Sequence, residues 1–166
     1  MSSPSVRFVA LAAAALLAGR SASAELKPGD RLPALDAAWF AGTLPTMTGR
    51  VVLLDFWASW CAPCKASFPH LDQLYRDYAR QGLVVLGVSV DEEASDMRKF
   101  LESTPVSFPT VRDREQRLVA LADVPTMPTS FLVDRKGRVR MRHAGFQGEQ
   151  TVQDLRAEIE ALLHEK

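Results

Sequence analysis

Cysteine is scarce in this chain: its 166 residues hold two, Cys61 and Cys64, both inside "FWASWCAPCKASFPH" at positions 56–70. A four-cysteine zinc cage is therefore excluded, and with 47% hydrophobic residues the chain can bury a core without disulfides. Histidine is equally thin. His70, His143 and His164 show no paired ligand spacing, and no second Cys-x-x-Cys exists. Neither charge is in excess: 20 Lys and Arg balance 20 Asp and Glu without long runs of one sign. That removes the electrostatic footprint of a protein that binds nucleic acid or an anionic membrane surface. The apolar run "FVALAAAALLA" at 8–18 falls well short of the roughly 20 residues that span a bilayer. No internal repeat occurs.

The first two dozen residues differ from the rest. "MSSPSVR" is short, polar and basic, the apolar run follows, and "GRSASA" ends in the small-x-small pattern that signal peptidase cuts. Residues 1–24 therefore read as a signal peptide cleaved after Ala24, with an uncleaved membrane anchor as the alternative. No cysteine near the end of the run offers a site for lipid attachment. Cleavage leaves 18 basic against 20 acidic residues, a net charge of −2. Export points to the periplasm, an oxidising compartment where exposed thiol pairs close to disulfides unless something keeps reducing them.

Residues 25–166 are expected to form one domain. A Pro- and Gly-rich lead-in at 25–50 suits loops and short strands. "VVLLDFW" (51–57) suits a buried central strand. Phe68, Leu71, Leu74, Tyr75 and Tyr78 recur at helical spacing until Gly82, which predicts a helix from 61 to about 80. "LVVLGVSV" (83–90) makes a second buried strand, and strand, helix, strand in this order implies a parallel, right-handed crossover. "EEASDMRKFLES" reads as a helix, "PVSFPTVRD" as an extended piece and "REQRLVALA" as another helix. "TSFLVDRKGRVRMRHAG" alternates around "DRKG" as a hairpin. Val152, Leu155, Ile159 and Leu162 form the stripe of a C-terminal helix. The sum is an α/β three-layer sandwich with a sheet parallel at first and antiparallel at its end.

Cys61 falls where the first strand hands over to the helix. Unpaired N–H groups and the positive end of the helix dipole stabilise a thiolate there, and Cys-x-x-Cys spacing lowers a thiol pKa from about 8.5 into roughly the 3.5–7.5 range. Cys64 lies one turn deeper, able to close a disulfide but more shielded. Pro63 belongs to the first turn, where a missing N–H costs nothing, and Pro69 should kink the helix. Zinc lacks ligands, and a loop of two intervening residues constrains the unfolded chain too little to serve as a staple. Redox chemistry is the reading that fits.

Asp55 is an acid within an apolar strand, six residues before Cys61. Buried, it would carry a raised pKa and could handle the proton of Cys64; otherwise it marks the strand's end and reaches solvent. Pro128 stands just ahead of a strand, where a trans proline would spoil pairing. A cis Met127–Pro128 bond would leave the Met127 backbone free to pair with an extended substrate, with Pro125 as the rival position. Trp57 is assigned to the core. Trp60 either joins it or rims a docking site for a partner. His143 follows the hairpin as a surface or satisfied histidine.

"VVLLDFWASWCAPCKASFP", followed by "MPTSFLVDRKGRV" and "HAGF", resembles the TlpA/ResA-like thiol-disulfide oxidoreductases of the thioredoxin superfamily, from about Leu32 to the C-terminus. The segment from about Glu92 to Arg112 looks like the helix-strand insertion of that branch. The resemblance implies Cys61 as attacking cysteine, Cys64 as resolving cysteine and Pro128 as the cis-proline; beside them, Trp60, Pro63 and Met127 are the candidate substrate-binding residues. It implies no flavin, nicotinamide or metal cofactor. Its implied partners are exported disulfide-containing proteins, among them apocytochromes (cytochrome c maturation) and copper-site assembly proteins, together with a membrane-bound thiol reductant. Two positions depart from the branch: Asp55 stands where many relatives have Asn, matching the buried aspartate of thioredoxin, and Ser67 stands where many have Glu. A dithiol oxidase would run the same pair in reverse. A copper chaperone of thioredoxin fold would need Cys61, Cys64 and His143 to converge and spaces its cysteines three apart. A peroxidase would need a Thr-x-x-Cys pattern that does not precede Cys61.

Overall fold

The structure, a computed structural model, describes residues 25–165, so the expected signal peptide and its cleavage after Ala24 lie outside the described residues. The elements run β1 (Phe40–Ala41), β2 (Val51–Trp57), α1 (Ala62–Tyr78), β3 (Leu83–Ser89), α2 (Ala94–Ser103), β4 (Thr110–Asp113), α3 (Arg117–Ala122), β5 (Thr129–Val133), β6 (Val139–Ala144) and α4 (Glu149–His164). All seven residues of β2 and all seven of β3 are buried, so the sheet is covered on both faces, as the predominantly apolar runs require.

Strand order is β1-β4-β3-β2-β5-β6. The expected parallel crossover joins β2 and β3, β4 continues parallel to β3, and β5 and β6 run antiparallel. The lead-in touches both edges: β1 pairs with β4, while the Gly29 N–H donates to Val139 O at 2.8 Å beside β6. Such cover blunts edges that would otherwise recruit foreign strands.

α1 passes through Pro69 as one helix and gives way to a short 3-10 turn ending at Gly82, whose φ of 112° only glycine adopts readily. α3 starts later than its apolar pattern predicts, at Arg117 rather than Arg114. The Asp113 carboxylate accepts the N–H groups of Arg117 and Val119, each at 3.0 Å, and Gln116 takes a positive φ, so the first turn forms only there.

Side-chain alternation fixes which layer Asp55 faces. Residues two apart on a strand share a face, and the Trp57 ring lies 4.7 Å from Phe68 of α1 and 4.8 Å from Phe100 of α2. Asp55 therefore points toward the layer that carries α1. α4 joins that layer through Tyr78–Glu160 and Arg156–Asp77 hydrogen bonds. α3 and the lead-in are tied together, the Leu26 N–H donating to Ala122 O at 3.3 Å, and they form the third layer. Trp57, Phe68, Phe100 and Phe108 make an aromatic centre with edge-on contacts. It is tight enough that a Cβ on Gly87 would lie 3.1 Å from Trp57 Nε1.

Candidate active site

Cys61 is the N-cap of α1: extended at φ −84° and ψ 105°, it places Sγ to accept the Cys64 N–H at 3.2 Å. The sulfur thus occupies the position where the helix offers unpaired donors and the positive end of its dipole, which favours a thiolate over a thiol. Cys64 is fully buried and Cys61 4% exposed. They are joined in a disulfide with Cα atoms 5.3 Å apart. Ala62 and Pro63 follow as exposed first-turn residues.

The β2–β5 register brings the second motif alongside. Phe56 pairs with Thr129, so Pro128, the residue before Thr129, is carried to the β2–α1 junction. The Met127–Pro128 bond is cis, and Pro128 is buried. Trp60, Cys61, Ala62 and Pro63 line one side of an open groove whose other side is Val124, Pro125, Thr126 and Met127. Among the described residues, neither main-chain polar group of Met127 has a hydrogen-bond partner. Trp60 is 71% exposed and stands on the rim rather than in the core, whereas Trp57 is wholly buried. The structure thus brings together Trp60, Cys61, Pro63 and Met127.

Asp55 is 1% exposed, which excludes the alternative in which it reaches solvent. Burial pushes its carboxyl up to about 7. The Ser130 hydroxyl opposes that shift by donating to Oδ1 at 2.5 Å, and Oδ2 has no partner among the described residues. An acid that changes charge near neutrality, facing the layer of α1, is suited to take up and return a proton. Sequence reasoning missed Ser130. Its only signal is the cross-strand pairing Asp55–Ser130, which no local pattern reveals. Ser67, in place of a glutamate, is 3% exposed and donates to Cys64 O at 3.0 Å.

The histidines lie elsewhere. His143 Nε2 sits 2.7 Å from Glu158 Oε2, the satisfied arrangement expected of it. The His70 ring packs 5.7 Å from that of Phe146, and His164 is the last residue of α4. Among the described residues no three His, Cys, Asp or Glu side chains cluster as a metal would require, so Cys61, Cys64 and His143 do not converge.

Residues 29–142 match the AhpC/TSA family. The thiol-disulfide oxidoreductase ResA of Geobacillus thermodenitrificans is 34% identical over 114 residues, covering 69% of this chain and 64% of that protein. ResA of Bacillus subtilis is 33% identical over 111 residues, covering 67% and 62%. The chain therefore spans under two thirds of the length of these curated relatives. Among solved structures, a candidate thiol:disulfide interchange protein DsbE of Chlorobium tepidum shares 37% identity at a TM-score of 0.74, over 84% of this chain and 99% of that one. StoA of Bacillus subtilis shares 26% at a TM-score of 0.59, over 66% and 82%. By its thioredoxin-like fold, its Cys-x-x-Cys helix cap and these matches, the chain belongs to the AhpC/TSA family of the thioredoxin superfamily and is similar to the ResA thiol-disulfide oxidoreductases.

Proposed function

We propose that the chain is a protein-disulfide reductase working outside the cytoplasm. The reduced Cys61 thiolate attacks one sulfur of a partner's disulfide; a Cys61–partner bond forms, and the partner's other sulfur leaves as a thiolate and takes a proton from solvent. Cys64 then gives its thiol proton to Asp55, and its thiolate attacks Cys61 Sγ. The second partner sulfur leaves, two electrons have passed to the partner, and Cys61–Cys64 is a disulfide again. A membrane-bound thiol reductant recharges the pair by the reverse exchange.

The observation that carries this reading is the Cys61 sulfur at the cap of α1, in a groove lined on its other side by Met127, whose main-chain polar groups have no partner among the described residues. An extended segment of the partner pairs there as an added strand while its disulfide meets the sulfur. The signal-like residues 1–24 support an extracytoplasmic site, and among the described residues no helix is long and apolar enough to cross a membrane. Disulfide-containing exported proteins are the proposed substrates, with apocytochromes and copper-site assembly proteins as candidates.

Insulin reduction is the test: activity is expected in the intact chain and lost in Cys61→Ser, and activity surviving that substitution refutes the reading. Direction is read from the reduction potential, expected near about −270 mV; a value near about −120 mV would make the chain an oxidase. Cys64→Ala should hold the partner as a mixed disulfide.

A further inference from the structure

Trp60 and Cys61 stand on the turn Ala58–Cys61, closed internally by the Cys61 N–H donating to Ala58 O at 3.1 Å. With 71% of its surface exposed, Trp60 does not anchor this turn. A side chain from the loop that follows β3 does. The Asp91 carboxylate, 3% exposed and just beyond the end of β3, accepts the Ser59 N–H on both oxygens at 3.0 and 3.1 Å and the Ser59 hydroxyl on Oδ1 at 2.8 Å. The Ser89 hydroxyl donates to Oδ2 at 2.8 Å and completes its shell.

The loop that presents Asp91 is itself clasped. The Arg112 guanidinium, from β4, donates to the main-chain carbonyls of Asp91 and Glu92 at 3.4 and 2.9 Å, and the Gln116 amide donates to Val90 O at 3.3 Å. A buried carboxylate stripped of its donors is strongly unfavourable, so Ser59 stays where Asp91 requires it. Cys61 lies two residues further on.

We propose that Asp91 is a positioning residue for the reactive turn: by fixing Ser59 it presets Trp60 at the rim of the groove and the Cys61 sulfur at the cap of α1. This rests on the disulfide-exchange reading and adds the group outside the Cys-x-x-Cys segment that sets its geometry. Thiol-disulfide exchange depends on the approach of the attacking sulfur, and a misplacement of about 1 Å costs on the order of a hundredfold in rate. Asp91 exchanges no proton or electron in the step; it acts through Ser59.

Asp91→Asn keeps the side chain's size but turns one acceptor oxygen into a donor; the Ser59 and Ser89 hydroxyls can turn to accept from it, but the Ser59 N–H must lose one of its two acceptors. The reduced Asp91→Asn protein should react with insulin about tenfold more slowly than the intact chain. Its Ser59 and Cys61 amides should exchange hydrogen about tenfold faster, while circular dichroism stays native. Ser59→Ala, which keeps the Ser59 N–H on Asp91, should lose rate in the same direction but less, and the double variant should be slower by less than the product of the two single effects, because both loosen the Asp91–Ser59 contact. A rate within about twofold of the intact chain in folded Asp91→Asn overturns the proposal, and so does a slower rate without faster Ser59 exchange. Should Asp91→Asn fail to fold, Ser59→Ala decides, and an unchanged rate with unchanged Cys61 exchange overturns it. If the intact chain itself is inert toward insulin, the reductase reading falls, and amide exchange then decides the positioning claim by itself.

Discussion

Replacing Asp55 by Asn should stabilise the oxidised protein, and by an amount that grows with pH. Burial raises the folded carboxyl from 3.8 to about 7, so the folded chain holds this proton more tightly than the unfolded one. At about 1.4 kcal/mol for each tenfold in proton affinity, the gap amounts to about 4 kcal/mol, an upper figure because the site can relax or admit water. Below about pH 4 the acid is protonated in both states and costs nothing. Between about pH 4 and 7 the unfolded chain sheds its proton while the folded one keeps it, and stability falls as pH rises. Above about pH 7 both are ionised and the full penalty stands. Asparagine keeps the shape and an acceptor for the Ser130 hydroxyl without the charge, so it escapes the penalty.

Urea unfolding of the oxidised intact chain and Asp55→Asn, from about pH 4.5 to about pH 9, measures this as a difference. Taking the difference matters, because Glu25 and Glu165 are held below the usual carboxylate range chiefly by hydrogen bonds from Arg142 and Arg140, and Asp77 by its hydrogen bonds from Gln73 and Arg156. Those groups favour the folded state at neutral pH and lose that effect on acidification, and they cancel between the two proteins. The stability gain should rise smoothly across the range and level off above neutrality. A gain constant with pH, or one that grows toward acid, would refute a buried acid with raised proton affinity.

Ser130→Ala removes the hydroxyl that donates to the Asp55 carboxylate; a hydrogen bond to a charged group is worth about 1.5–3 kcal/mol, so the acid limb of the pH–rate profile for insulin reduction should move up by about one pH unit or more, and Ser130→Thr should restore it. Phe68→Ala empties the aromatic centre against Trp57, Phe100 and Phe108 and should cost about 3–5 kcal/mol in urea unfolding while leaving the Cys61–Cys64 reduction potential nearly unchanged.

The central strands, α1 with its stop at Gly82, the hairpin and α4 were legible because each writes a periodic pattern into adjacent residues. β2 and β3 are buried on both faces and therefore apolar apart from Asp55 and Ser89; α4 is buried on one and shows a stripe. The Cys61 cap and the cis bond before Pro128 were legible for a similar reason, since a helix start and a strand start are local events. What stayed hidden depends on register. β1 exists because Phe40 and Ala41 meet Asp113 and Arg112, far along the chain. Ser130 becomes a partner of Asp55 only when β5 lies antiparallel to β2, and Asp91 becomes one of Ser59 only when the ends of β2 and β3 come level. The exposure of Trp60 was undecidable from composition, since an indole beside a cysteine suits a core or a rim equally well.

Register also explains why the site lies at one end of the sheet. β2 and β3 are parallel, with Trp57 opposite Ser89, so both deliver their C-terminal ends to the same edge: one leads into Ser59, Trp60 and Cys61, the other into Asp91. Ligand sites of open α/β sheets gather at such carboxyl ends. β5 reaches that edge by its opposite end, because it is antiparallel to β2 and starts at Thr129, opposite Phe56. Were β5 parallel, Pro128 would stand at the far end of the sheet, and Met127 could not line the same groove as Cys61. The reversal of a single strand thus carries the Met127–Pro128 segment to the end of β2 that leads into Cys61, and sets Ser130 against Asp55. It also sets the limit of tolerance: a slip of one residue between β2 and β5 would turn Ser130 to the other face of the sheet, leaving Asp55 without the one donor it has among the described residues.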